Sequence, residues 1–341
     1  MRRHGNLWRD IISPENIAVA YKKAALGKST MRNVLKFSKD IEGNLENIRQ
    51  ILVNKTFTTS HYIEKIVYEP KQRIIYVLPF APDRIVQHAL MNVVQPIWED
   101  LFICDSYACR TGKGIHAGSA RTMQFVRRSK YVLKCDISKF YPSVDQEILF
   151  KIVQKKIKCP DTLWLIDNII RSFPGGKNVP IGNYTSQWFG NLYLNELDQF
   201  VKTILQKRFG HIDYLRYCDD FCLFLDDKKI LHECAKLIEG FLHEKLLLKF
   251  SKCEVFPVSH GVDFLGYRHF DNYILLRKST AKRVRRRLER LPKQFVAGRI
   301  TAEHFRSSIG STYGWLKHAN SHNLMVALRY EDLKREVKKL V

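Results

Sequence analysis

The sequence predicts an α+β fold: an antiparallel sheet with helices on one face, around a split βαβ core. Three observations lead there. The order along the chain is strand, helix, helix, hairpin, helix and then several small strands. Two apolar, β-rich runs face each other within "YLRYCDDFCLFL", residues 214–225. The longer segments between strands repeat apolar residues at helical spacing.

In chain order, residues 1–60 read as helical and basic. "YIEKIVYEP" and "RIIYVLPF" read as strands joined by a Lys-Gln-Arg turn. "DRIVQHALMNVVQPIWEDLF" places Ile85, Ala89, Val93 and Ile97 on one helical face. "RTGKGIHAG", 110–118, suggests a phosphate loop but lacks the GxxxxGK[ST] spacing, so it reads as a connecting loop. "YVLKCDISKFYPSV" begins as a strand, and a helix follows over 145–157. "GGKNVPIGNYTS" is a loop. The next helix covers about 185–206, with Trp188, Leu192 and Tyr193 inward. After the hairpin, 228–247 is an amphipathic helix with Ile230, Cys234, Ile238 and Phe241 on one face. "EVFPV", "VDFLGYRHF" and "YILLR" are short strands.

From residue 277 the composition changes. "RKSTAKRVRRRLERLPK" carries nine basic residues and one acid. Val284, Leu288 and Leu291 form a narrow apolar stripe; Thr280 is the expected N-cap, and Pro292 the expected stop. Solvated helix faces mix signs to gain i,i+4 pairs, so a one-signed face points to a polyanion. A last helical region, about 301–341, contains Tyr313 and Trp315.

The whole chain repeats that signal. Its 341 residues hold 57 Lys and Arg against 34 Asp and Glu, a net charge of +23. Such self-repulsion favours a polyanionic partner, nucleic acid before an anionic membrane. No run of about 18 apolar residues exists, and the basic N-terminus lacks an apolar signal core. A membrane span and secretion are therefore not expected. The eight cysteines form no CxxC pair and sit among apolar residues, as reduced core cysteines do. The histidines show no zinc spacing.

The hairpin poses a chemical question. Asp219 and Asp220 fall at a turn between two apolar strands. An Asx turn explains one exposed Asp, but not two carboxylates wedged against "YC" and "FCLFL". A divalent cation makes such crowding favourable. Mg²⁺ is hard, prefers oxygen and keeps positions open for water and phosphate. Two such ions about 4 Å apart can activate an attacking hydroxyl and stabilise a leaving pyrophosphate. That needs a further acid, and Asp136, ending the strand "LKCD", supplies it if the strand lies beside the hairpin.

"DISKFY", "PIGNYTSQ", "YCDD", the Lys of "KFSKCEVF" and "VDFLGY" occur in the order of the polymerase motifs of reverse transcriptases, and the chain resembles that family over roughly 60–341. The resemblance implies a right hand: a basic helical extension over 1–60, mainly fingers over 61–130, mainly palm over 131–273, and a basic helical thumb over 274–341. The palm would hold the 184–206 helix and the 214–225 hairpin. Within the family the sequence is most similar to diversity-generating retroelement enzymes, a bacterial and phage lineage related to group II intron reverse transcriptases. Where most relatives carry "PQG", this chain has Pro180, Ile181 and Gly182, then Ser186 and Gln187. Compact length, "GNLW" and "YGWLKHA" agree, and no endonuclease, RNase H or maturase-like segment is visible.

The resemblance implies roles. Asp136, Asp219 and the Ile137 main chain would hold two Mg²⁺ ions, with Mn²⁺ as a substitute, and Asp220 would support them. The backbone of Ile137, Ser138, Lys139 and Phe140 would lie along the triphosphate, gripped by Lys71 and Arg73. Tyr141 matches the steric gate against a ribose 2′-hydroxyl. Ile181, Gly182 and Gln187 would meet the incoming nucleotide. Lys252 matches a general acid for the leaving pyrophosphate. Phe264, Leu265 and Gly266 match the primer grip. Lys282, Arg283, Arg286, Arg287 and Arg290 would track nucleic acid. In relatives a polar Gln stands at the place of Ile181; losing its hydrogen bonds weakens discrimination, in keeping with that lineage's errors opposite template adenines. The implied partners are a template-repeat RNA, an RNA/cDNA duplex, dNTPs and an oligomeric basic helical accessory protein, in the cytoplasm of a bacterial cell. The alternatives are an accurate retron- or group II intron-like enzyme, an RNA-dependent RNA polymerase, and a basic RNA-binding or antiphage protein with a degenerate palm.

Overall fold

The computed structural model describes residues 3–68 and 72–338. Among the described residues nine strands form three antiparallel sheets. β1 (Ile63–Val67) and β2 (Arg73–Val77) make a two-stranded ribbon. β3 (Tyr131–Ile137), β4 (Asp213–Tyr217), β5 (Asp220–Leu225) and β6 (Phe250–Pro257) make the central sheet, in the order β4-β5-β3-β6. β7 (Val262–Phe264), β8 (Tyr267–His269) and β9 (Ile274–Leu276) form the third sheet. The expected α+β arrangement is present: β3 lies between the β4–β5 hairpin and β6, and helices fill the connections.

Alternation along β3 sets the two faces of the central sheet. Leu133, Cys135 and Ile137 enter the main core, against helices that include Ile85–Glu99, Tyr184–Gln199 and Lys228–Leu246. Burying each large apolar side chain stabilises by roughly 1.5–3 kcal/mol, so this face determines register. Val132 joins a second cluster with Phe125, Cys222, Phe224 and Phe264 on the opposite face. Lys134 and Asp136 share that second face by alternation.

Three local expectations are corrected. In the Lys228–Leu246 helix the buried row is Leu231, Cys234, Ile238, Leu242 and Leu246, while Ile230 and Phe241 flank it half-buried. The Asp227 side chain caps this helix by accepting from the Lys229 and Ile230 amides. The basic C-terminal helix runs Lys278–Val296, straight through Pro292, and its N-cap is Arg277 rather than Thr280. Its apolar stripe prevails over the proline: Val284, Leu288 and Leu291 pack with Phe305 and Ile309 of the Ala302–Lys317 helix. Among the described residues no helix is long and apolar enough to cross a membrane.

Candidate active site

Register brings the three acids together. β3 is central, and Asp136 stands opposite Asp220 on β5 and opposite Lys252 on β6. Tyr217 pairs with Asp220, so the turn consists of Cys218 and Asp219. Asp220 is therefore the first residue of β5, one place further into the strand than the sequence suggested. Cys218 has φ 53°, the left-handed region that tight hairpin turns require to match strand twist. A non-glycine residue there costs on the order of 1 kcal/mol. The Arg216 guanidinium offsets this by donating from Nη1 to the Cys218 carbonyl at 3.0 Å.

Arg216 is the part of the site that sequence reasoning missed. It is fully buried, as is Asp198 on the Tyr184–Gln199 helix. Nε and Nη2 bond the two Asp198 oxygens at 2.7 and 2.6 Å, and the Tyr214 hydroxyl adds a third bond at 2.6 Å. A buried Arg needs a buried acid. The signal was present in "YLRYC", a charge inside an apolar strand, but the partner lies 18 residues upstream.

The acids repel one another. Burial raises the Asp219 pKa, and Asp136 adds to the rise, while Arg73 and Arg216 oppose it. Asp220 is pushed up to about 6, first by burial; Lys134 opposes this, and Asp136 and Asp219 reinforce it. The influence of Arg73 on Asp219 brings this ribbon cation within electrostatic range of the carboxylates. Lys71 lies outside the described residues.

The donors are half-buried, hard carboxylate oxygens at one end of the central sheet, a set that fits Mg²⁺. Among the described residues no group of three or more His, Cys, Asp or Glu side chains is placed to hold a metal ion together. The Ile137 side chain is buried, at the end of β3.

A β-bulge shapes the β6 side. The register shifts between Asp136 and Ile137, which leaves Ser251 as the extra residue between Phe250 and Lys252. The bulge delivers the Ser251 hydroxyl to both the carboxylate and the carbonyl of Asp136. Lys252 lies opposite Asp136, but its Nζ is 3.0 Å from Glu254 and both side chains are exposed. A proton-donor role requires leaving that pair.

Next to the acids, Ser138 uses its amide to donate to the Lys249 carbonyl at 2.8 Å, so this N–H is not free for a ligand. Lys139 adopts φ 44° and starts the short Phe140–Ser143 helix. Tyr141 is held close to the Tyr184–Gln199 helix because Gly190 has no side chain: a Cβ there would lie 3.1 Å from Phe140 and 3.2 Å from Tyr141. Burial raises the Tyr141 pKa, and nearby Cys218, Cys109 and Asp219 add to it.

The loop before that helix is fastened to the β1–β2 ribbon. The Tyr76 amide donates to the Ile181 carbonyl at 2.7 Å. Gly182 adopts φ 129°, and a Cβ there would collide with the Tyr76 carbonyl. The Ser186 hydroxyl donates to the Pro180 carbonyl at 2.7 Å, and Asn183 donates to the Tyr62 hydroxyl at 2.8 Å. Ile181 remains half-exposed and Gln187 exposed.

In the third sheet, Leu265 and Gly266 form the two-residue turn between β7 and β8, with φ 57° and 85°. The space above Gly266 is occupied by Trp315, whose ring would lie 2.8 Å from a Cβ placed there. Leu265 rests on Gly118. Arg277 bonds the Gly266 carbonyl at 3.0 Å, which ties this turn to the basic helix.

Lys282, Arg283, Arg286, Arg287 and Arg290 all line one cleft of about 880 Å³. Tyr68 from the ribbon side and Trp315 from the last helical region also line it.

The family model for reverse transcriptase (RNA-dependent DNA polymerase) matches residues 64–269. Protein YkfC of Escherichia coli strain K12 is 27% identical over 237 residues, 56% of this chain and 61% of that protein. The group II intron-encoded protein LtrA of Lactococcus lactis subsp. cremoris is 23% identical over 260 residues, 72% of this chain and 43% of that protein. The retron Ec83 reverse transcriptase of Escherichia coli is 22% identical over 277 residues, 76% of this chain and 84% of that protein.

Proposed function

Because the chain belongs to the reverse transcriptase (RNA-dependent DNA polymerase) family, we propose that it extends a primer on an RNA template with dNTPs. The observation that supports this best is the register that sets Asp136 beside Asp220, with Asp219 at the adjoining turn. Asp136, Asp219 and the Ile137 carbonyl would hold two Mg²⁺ ions, with Asp220 in support. When bound, the ions lower the pKa of the primer hydroxyl and neutralise charge on the leaving pyrophosphate.

The remaining work belongs to the chain. Arg73 meets the triphosphate, a role supported by its electrostatic pull on Asp219. The Tyr141 ring, seated against Gly190, excludes a 2′-hydroxyl. Lys252 donates a proton to pyrophosphate after release from Glu254. The cationic cleft holds the RNA/cDNA duplex through phosphate contacts, which position without reading sequence.

Within the family, the reading we favour is an error-prone enzyme of a diversity-generating retroelement, copying a template-repeat RNA with a basic helical accessory protein. Its support is Ile181 in the loop fastened to Tyr76. An apolar side chain there cannot make the polar contacts that separate correct from incorrect pairs.

The test is sequencing of cDNA made by the purified protein with Mg²⁺, dNTPs and its neighbouring RNA. Parallel reactions include any accessory protein encoded nearby, and an Asp219→Ala, Asp220→Ala control. Errors concentrated at template adenines are expected. Accurate, acid-dependent cDNA would place the protein with retron- or group II intron-like enzymes. Synthesis from rNTPs alone would move it to RNA polymerases, and no synthesis under any condition would favour a binding protein.

A further inference from the structure

Four of the eight cysteines pair up beside the catalytic acids. Cys135 immediately precedes Asp136, and Cys218 immediately precedes Asp219. Cys135 stands opposite Cys253 in the β3–β6 register, with the two Sγ atoms 3.5 Å apart. Cys109 lies near Cys218. In the first pair one thiol is buried and the other exposed.

We propose that Cys135 and Cys253 form an oxidative modification site, closed to a disulfide by a hydroperoxide. Directly opposite strand residues have Cα atoms about 4.5–5.5 Å apart, within the range a disulfide spans. The sulfurs must close from 3.5 Å to about 2.05 Å. Cys253 is exposed to the oxidant, with the Cys135 sulfur 3.5 Å away. Cys135 is buried against it as the resolving thiol.

The chemistry balances in two steps. Cys253 gives its proton to water, and its thiolate attacks one oxygen of the hydroperoxide. The O–O bond breaks, leaving Cys253 as sulfenic acid, and the departing alkoxide takes a proton to become the alcohol. The Cys135 sulfur then attacks the sulfenic sulfur. The S–O bond breaks, the S–S bond forms, and hydroxide leaves as water with the Cys135 proton. Two thiols are oxidised by two electrons and one hydroperoxide is reduced.

The consequence follows from position. Closing the pair draws β6 toward β3 two residues from the Ser251 bulge, where the ladder is already interrupted. Asp136 and the Ser251 hydroxyl that holds it move with the strands. A misplacement of the order of 1 Å at reacting groups costs up to about 100-fold in rate.

The experiment treats the reduced full-length protein with tert-butyl hydroperoxide, alkylates the remaining thiols and maps peptides by mass spectrometry. Primer extension is measured before oxidation, after it, and after a dithiol reductant. A peptide cross-linked through Cys135 and Cys253 is expected. Synthesis should fall at least about tenfold, recover with the reductant, and persist in Cys253→Ser, whose exposed site tolerates the change. Free thiols at both positions, a terminal sulfonic acid at Cys253, or a cross-link confined to Cys109 and Cys218 would overturn the proposal. So would equal inactivation of Cys253→Ser. Loss of synthesis rests on the polymerase reading, whereas the cross-linked peptide forms whether or not that reading holds.

Discussion

Replacing Arg216 with Met removes the guanidinium but keeps most of the aliphatic stem. The structure supports a quantitative expectation. Arg216 and Asp198 are both fully buried, with bidentate bonds at 2.7 and 2.6 Å. After the change, Asp198 keeps only the Tyr214 hydroxyl at 2.6 Å and stays buried as an uncompensated acid. Removing one partner of such a pair costs about 3–5 kcal/mol, a large share of the roughly 5–15 kcal/mol that holds a typical domain folded. Arg216→Met combined with Asp198→Leu removes both charges and should recover most of the loss. Urea unfolding followed by tryptophan fluorescence measures both variants; a lower midpoint at unchanged slope reports stability alone. A cost of Arg216→Met below about 1 kcal/mol, or a double variant no more stable than Arg216→Met, would refute the buried-pair energetics. Catalysis gives a second readout. The bond from Arg216 to the Cys218 carbonyl at 3.0 Å is lost, so kcat in the surviving folded protein should fall more than dNTP KM rises.

Other predictions address separate parts of the site. Tyr141→Ala opens the space beside Gly190 and should admit rNTPs; incorporation assays with single rNTPs would show it, and unchanged exclusion would remove Tyr141 from the gate. Ile181→Gln should lower errors at template adenines in sequenced cDNA, and an unchanged spectrum would separate Ile181 from fidelity. Asp220 is held at about 6 by burial first and by its acidic neighbours, above the usual carboxylate value of about 3.9. Its folded pKa thus exceeds its unfolded one, and the native protein carries the extra proton between about pH 4 and 6. Metal-free stability from this group is therefore present at the low end and declines as pH rises through that window. Mg²⁺ competes with the same proton, so Mg²⁺ affinity should weaken below pH 6; calorimetric titrations at pH 5 and 7 with equal affinities would contradict this.

Much of the site was legible because its chemistry is local in sequence. Asp219 and Asp220 between apolar runs imply a hairpin and crowded charge, and Asp136 ends a patterned strand. The stripe of Val284, Leu288 and Leu291 was read correctly because 3.6-residue periodicity needs no knowledge of the partner helix. Boundaries were less legible. Pro292 reads as a stop in isolation, yet the packed stripe carries the helix to Val296. Ile230 and Leu231 are adjacent apolar residues, and only the neighbouring sheet selects which is buried.

By itself, then, the sequence determined the α+β class, the basic character that calls for a polyanion, and the three acids proposed for the site. These follow from residue type, period and charge, which act within a few residues. The tertiary structure alone decided the pairing of Asp136 with Asp220, the Ser251 bulge beside it, the burial of Arg216 against Asp198, and the meeting of Cys135 with Cys253. Each joins residues distant in the chain, and their proximity depends on strand register and close packing, which no local pattern encodes.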